Sequence, residues 1–96
     1  VNVRFTSVAE LELSEAMLEY EAARPGLGAK FLSDARAATR LIESHPQAWT
    51  SLSPRTRRIR LHNFPFGLFY QVRPDEILIV SVMDLRRDPR RWEHLL

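Results

Sequence analysis

The apolar positions change period along the chain. Val1, Val3 and Phe5 alternate with Asn2 and Arg4, which predicts a short first strand. From Val8 to Ala23 the spacing becomes three to four. Leu13, Ala16, Met17 and Tyr20 form one stripe, as an amphipathic helix requires. Leu11, Leu18 and Ala22 form a second stripe on the far side, with Glu12, Glu15 and Glu19 as an acidic face between the two. A helix with two apolar stripes is expected to touch two things. Packing within a helical hairpin is the default for the second stripe; a dimer seam and a partner's surface are the alternatives. Ser7 and Glu10 have capping-box spacing, which makes Ser7 the expected N-cap.

The stretch Arg24-Pro25-Gly26-Leu27-Gly28 breaks this pattern. Pro25 disfavours helical geometry at Arg24, and Gly26 can adopt a positive φ after a helix end. Gly28 permits close approach at the start of a second helix, predicted from Ala29 to Ser44. Phe31, Ala35, Ala38 and Ile42 are its core stripe, with Leu32 and Leu41 beside it. His45-Pro46 ends it, and residues 46–56 read as a loop anchored by Trp49.

The period then falls to two. Ile59 and Leu61 face one way; Arg58, Arg60 and His62 face the other. A turn at Phe64-Pro65-Phe66-Gly67 leads to a strand over Leu68–Val72. After a second turn, Ile77–Met83 is apolar on both faces, which predicts a central strand. Asp88-Pro89 reads as an N-cap followed by Pro at the first position of a short final helix carrying Arg90, Arg91 and Trp92. The predicted fold class is α+β, in the order β-α-α-β-β-β with a short C-terminal helix. The sheet is expected to be mainly antiparallel, with the helical hairpin on one face. Little chain remains to cover the other face, which predicts a groove open to a partner.

Composition narrows the class. Ninety-six residues is the length of one domain spanning 1–96, with a modest core. The 45% apolar and 27% charged fractions are those of a globular protein. No apolar run reaches the roughly 20 residues of a membrane span. The N-terminus lacks the pattern of a signal peptide, and the chain opens at Val1, as after loss or omission of an initiator Met. The absence of cysteine excludes disulfides and thiolate metal sites and suits a reducing cytoplasm. The net charge of +2 is unevenly placed: residues 1–50 sum to −2 and residues 51–96 to +4. Thirteen of the fourteen basic residues are Arg, whose planar fork suits phosphate and carboxylate. An Arg-rich half points to nucleic acid or to an acidic protein partner.

Several segments together resemble the RelE/ParE superfamily of bacterial type II toxins, also called plasmid stabilisation proteins. They are the helix Ala9-Glu10-Leu11-Glu12-Leu13-Ser14-Glu15-Ala16, then Arg24-Pro25-Gly26-Leu27-Gly28 with Phe31, then His45-Pro46. Arg57-Arg58, Phe64-Pro65-Phe66 with Tyr70 and Val72, and Arg86-Arg87 with Pro89 and Trp92 complete the order. The resemblance covers nearly the whole chain. It implies a cytoplasmic growth inhibitor, neutralised by a cognate antitoxin that wraps it with a helix and extended segments, in a heterotetramer or larger complex. It implies no cofactor, metal or membrane. RelE-like members cut mRNA in the ribosome; ParE-like members poison DNA gyrase.

The resemblance also bears on chemistry. The ribonuclease branch supplies an Arg where this chain has Gly67. It supplies a His or Tyr after the last strand, where this chain reads Met83-Asp84-Leu85-Arg86. These departures favour the ParE-like, non-catalytic branch. A target-binding set of Arg58, Arg60, Arg86, Arg87 and Arg90 is then expected, with Leu11, Leu18, Val80 and Val82 toward the antitoxin. Should the chain be a metal-independent endoribonuclease, Arg58, Arg60, His62 and Arg86 are its candidates, with His62 or Asp84 as base. A third reading is a non-toxic partner module. The plain alternative for Arg55, Arg57, Arg58 and Arg60 is solvation of an open sheet face. Trp49 and Tyr70 read as core anchors, His45 as a helix-end residue and His94 as surface.

Overall fold

The first strand passes directly into the first helix. In the computed structural model, which describes residues 2–96, strand β1 (Asn2–Phe5) precedes helix α1 (Ser7–Ala23). The expected alternation at Val1 lies outside the described residues. Thr6, not Ser7, is the N-cap: its Oγ1 accepts from the Ala9 amide at 3.1 Å, while its own amide still donates to the Ile79 carbonyl. One residue thus closes the strand and caps the helix. Sequence spacing favours Ser7, but only Thr6 has the extended backbone a cap needs.

Helix α2 spans Leu27–Ser44 and starts two residues before the expected Ala29. Gly26 is its N-cap, at φ +90°, where any side chain would be strained. Gly28 lies in the first turn against α1. A Cβ there would stand 2.8 Å from the Met17 carbonyl oxygen. The Glu21 carboxylate completes the joint by accepting from the amides of Gly26 and Gly28. An acidic side chain at the end of α1 thus satisfies two of the free N–H groups that open α2.

The sheet has five strands in the order β1-β5-β4-β3-β2, with β2 at Thr50–Ser51, β3 at Arg57–Arg60, β4 at Phe66–Val72 and β5 at Glu76–Asp84. β1 pairs with β5 in parallel and every other neighbour is antiparallel. β5 is indeed central. The predicted loop 46–56 contains the two-residue edge strand β2, too short to leave a periodic signal. Trp49 anchors that loop through Nε1 to the Leu41 carbonyl, and Tyr70 donates from its hydroxyl to the Pro46 carbonyl at 2.7 Å. Burial pushes the Tyr70 pKa up to about 12.

The hairpin covers one face of the sheet. Ala9, Ala16, Phe31, Ala35, Ala38 and Ile42 meet Ile59, Leu68, Tyr70, Ile77, Ile79 and Val82. At one end Tyr20, Phe31, Phe64 and Phe66 pack with ring centroids 4.8–5.9 Å apart, mostly edge to face.

The opposite face is not open, contrary to expectation. The C-terminal segment Pro89–Leu95 is a 3-10 helix that lays Trp92 on Phe69, centroid to centroid 5.4 Å. Phe69 and Leu78, which project away from the main core, are both buried. The Thr56 hydroxyl donates to the Leu95 carbonyl and Arg55 Nε to the Leu96 carbonyl, so the strap is fastened beyond the indole. Asp88 caps it as predicted, accepting from the Arg90 amide.

Candidate functional site

The alternation of β3 places Arg58 and Arg60 on the strap side of the sheet, with Ile59 toward the hairpin. The Arg58 guanidinium carbon lies 6.0 Å from the centre of the Trp92 ring, within cation–π range. Arg60 is exposed. Arg57 is used structurally, donating to the Trp49 carbonyl at 2.8 Å. The four arginines of this segment therefore do not form one solvated row. Arg55 and Arg57 hold backbone, Arg58 braces the strap and Arg60 is free in solvent.

His62 shares a groove with Arg60 but not with Arg58. β3 ends at Arg60, Leu61 turns inward, and His62 lines a groove along α2 with Asp34, Leu41, Trp49 and Arg60. Asp34 is buried there and accepts from the Asn63 amide at 2.8 Å, fixing the turn after β3. Asp84 lines a different groove, between α1 and the end of β5, with Glu12, Glu15, Glu19, Phe66, Met83, Arg87 and Arg91. The two candidate bases thus sit in separate clefts, and the constellation Arg58, Arg60, His62 and Arg86 is not assembled.

Asp84 is already engaged. It receives Arg86 Nε at 3.0 Å and Nη2 at 2.7 Å, with the Arg86 amide at 3.0 Å. Those hydrogen bonds hold its carboxyl below the usual range, outweighing partial burial. Arg90 forms the same two-residue fork with Asp88, at 2.9 and 2.6 Å. This local pairing explains how arginines tolerate the N-terminal end of the final helix. Among the described residues, the ion pairs are these two and Arg4–Glu76. Of the expected target-binding set, Arg60 and Arg87 are exposed and outside any such pair. Arg58, Arg86 and Arg90 have partners within the chain.

Gly67 matters for the same question. A Cβ built there would meet Leu85 Cδ2 at 3.0 Å and Arg58 Cγ at 3.1 Å. A side chain there needs Leu85 and the Arg58 stem to give by a few tenths of an ångström.

The four residues expected toward a partner separate. Leu11 and Leu18 are among the most exposed large apolar side chains, so the default hairpin packing of that stripe does not hold. The hairpin contact is made instead by the other side of α1. Val82 is in the core, and Val80 is half-buried, its carbonyl accepting from the Thr6 hydroxyl at 3.5 Å. Sequence reasoning also missed the part played by Glu12. Its carboxylate accepts from the Val82 amide at 3.0 Å and from the Ser81 hydroxyl at 2.8 Å. β1 pairs only with Glu76–Ile79, so Glu12 satisfies the edge of β5 where strand pairing has stopped. Among the described residues, no group of three His, Asp or Glu side chains could hold a metal ion, and no helix is long and apolar enough to cross a membrane.

Residues 3–89 match the family described as the ParE toxin of the type II toxin–antitoxin system, parDE. The chain belongs to the ParE toxin family. No curated protein is similar enough in sequence to count as a relative. Among solved structures, one from the chromosomal ParDE toxin–antitoxin system of P. aeruginosa superposes with a TM-score of 0.67. It is 19% identical and covers 88% of this chain and 96% of its own. The isolated E. coli RelE toxin superposes with a TM-score of 0.66, at 18% identity, covering 98% of this chain and 94% of its own. At these identities the two establish the shared fold alone. It is the α+β fold expected from the sequence.

Proposed function

We propose that this ParE-family chain is a toxin that acts in the cytoplasm by binding, with DNA gyrase as its target, and that a cognate antitoxin neutralises it. The observation that carries the non-catalytic part is the state of two positions. Where the resemblance to the ribonuclease branch calls for an arginine, this chain has Gly67, packed closely by the Leu85 and Arg58 side chains. Where it calls for a histidine or tyrosine, Asp84 is locked in a fork with Arg86. A metal-free ribonuclease needs a base near the 2′-hydroxyl and cations on the scissile phosphate. A carboxylate already bound by a guanidinium is a poor proton acceptor, and its low pKa makes it poorer.

The gyrase target rests on the match to ParE toxins rather than on a pocket. Arg60 and Arg87 are the exposed cations best placed to meet an acidic or phosphate surface. The test is to add the purified chain to gyrase and relaxed plasmid. Inhibited supercoiling or trapped cleavage complexes are expected. Normal supercoiling, combined with codon-phased mRNA cuts by primer extension after induction, would reverse the assignment toward the ribosome.

A further inference from the structure

We infer that the cavity between α2 and β1 binds a free, single-chain alkyl carboxylate, with Arg36 and Arg40 on its headgroup and apolar side chains along its tail. The cavity measures about 360 Å³. That lies toward the small end of the range for small-molecule sites. Phe5 of β1, Leu13 of α1, and Leu32 and Ala35 of α2 supply the apolar lining, and Arg36, Thr39 and Arg40 supply the rest. The grooves that hold Asp84 and Asp34 mix acids with bases, whereas no carboxylate lines this one. It is also distinct from the exposed Arg60 and Arg87, so the inference does not rest on the gyrase reading.

The charge pattern selects the ligand. Arg36 and Arg40 are four residues apart on α2, a spacing at which like charges repel. Neither lies in the last turn, where the helix dipole favours a cation. Among the described residues, neither takes part in an ion pair. Two neighbouring guanidiniums beside one cavity thus await an anion from outside the chain, and their planar forks suit a carboxylate. The Thr39 hydroxyl is already spent, donating to the Ala35 carbonyl at 2.9 Å. The polar part of the lining is therefore cationic and the remainder is hydrocarbon. A small bare anion would leave Phe5, Leu13 and Leu32 uncovered, and an uncharged chain would leave both cations unneutralised. An alkyl carboxylate meets both demands. The plain alternative is that the two arginine stems only shield apolar surface while their heads stay in water; that reading predicts no binding at all.

The experiment titrates the full, isotopically labelled chain with decanoate below its micellar concentration and follows the amide resonances. Decanol, acetate and decyltrimethylammonium serve as controls. Saturable shifts are expected at Phe5, Leu13 and across Leu32–Arg40. Decanoate should bind about tenfold more tightly than decanol, as charge-assisted hydrogen bonds imply. Octanoate should bind more weakly than decanoate, by up to about fourfold for each methylene that is buried. Arg36→Gln/Arg40→Gln should bring decanoate down to the affinity of decanol, and Arg36→Glu/Arg40→Glu should transfer the preference to decyltrimethylammonium. Both side chains are exposed, and circular dichroism checks that each variant keeps its helices. Shifts that do not saturate, equal affinity for decanoate and decanol, or undiminished decanoate binding in the Gln variant would each overturn the inference. So would binding to phosphatidylglycerol vesicles with no response to monomeric decanoate, which would assign the arginines to a lipid surface. Gyrase inhibition is a separate readout, so its failure would overturn the target assignment and leave this site standing.

Discussion

The two faces of the sheet are buried by different means. On the hairpin side, two long helices press a continuous apolar layer onto β3, β4 and β5, closed at one end by four aromatic rings. On the strap side, seven residues of 3-10 helix do the covering, through one indole, one guanidinium and two side-chain hydrogen bonds to backbone. Both faces are covered, but only the first contributes a large share of the folding free energy. Local stability differs across a structure in just this way, with the least-packed segments opening first. The exposed Arg60 and the Trp92-braced Arg58 lie on the weaker side. That side can therefore change locally while the hairpin layer stays intact.

The largest expected effect is on the strong side. Phe31→Ala removes a fully buried ring that touches Tyr20, Phe64 and Phe66, and should destabilise by about 3–5 kcal/mol in urea unfolding. A loss below that of a strap-side truncation would erase the proposed asymmetry. Next comes Glu12→Ala, which leaves the Val82 amide without its acceptor at the margin between the faces; the cost should be about 1–3 kcal/mol. An unchanged unfolding midpoint would mean that the edge of β5 is satisfied some other way.

Trp92→Ala should cost less globally, about 1–2 kcal/mol, because the ring is only half-buried. Its distinctive signature is local: faster hydrogen exchange in residues 89–96 with little change in α1 and α2. Uniformly faster exchange throughout would show that the two faces unfold as one unit.

The smallest effects are ionic. The Asp84 carboxyl is lowered in the folded chain by its Arg86 hydrogen bonds, so its contribution is present above the unfolded value near 3.9 and lost as pH falls through the folded value. Asp84→Asn should therefore flatten the acid limb of the stability profile slightly. For Tyr70 the sign is opposite. Its pKa is raised to about 12 by burial, so stability is full below about 10 and is lost between there and about 12. Its tyrosinate absorbance should appear only near that upper limit. Ordinary titration near 10 in the folded chain would contradict its burial beneath the Pro46 carbonyl.

Much of this was legible in the chain itself. The periods of three to four and of two located both helices and the three longer C-terminal strands, because side-chain direction follows backbone geometry within a few residues. Pro25, Gly26 and Gly28 marked the hairpin for equally local steric reasons. The match of Asp88-Pro89 to a cap also held, although the segment it opens is 3-10. The same reading put the N-cap one residue late and missed β2, whose two residues are too few to show a period. For the candidate site, alternation correctly put Arg58 and Arg60 on one face, but it extended that face to His62 beyond the true end of β3.

What lay beyond the sequence were contacts between positions far apart. Nothing near Glu12 indicates that its carboxylate meets Val82, seventy residues on. Nothing near Phe69 indicates that Trp92 will cover it. Apolar spacing established that α1 has two faces. Only the packed structure decided which one is buried and left Val8, Leu11 and Leu18 outside. The reason is physical: periodicity is set by bond geometry within a segment, whereas burial is set by which segments compete for the same surface once the chain has closed on itself.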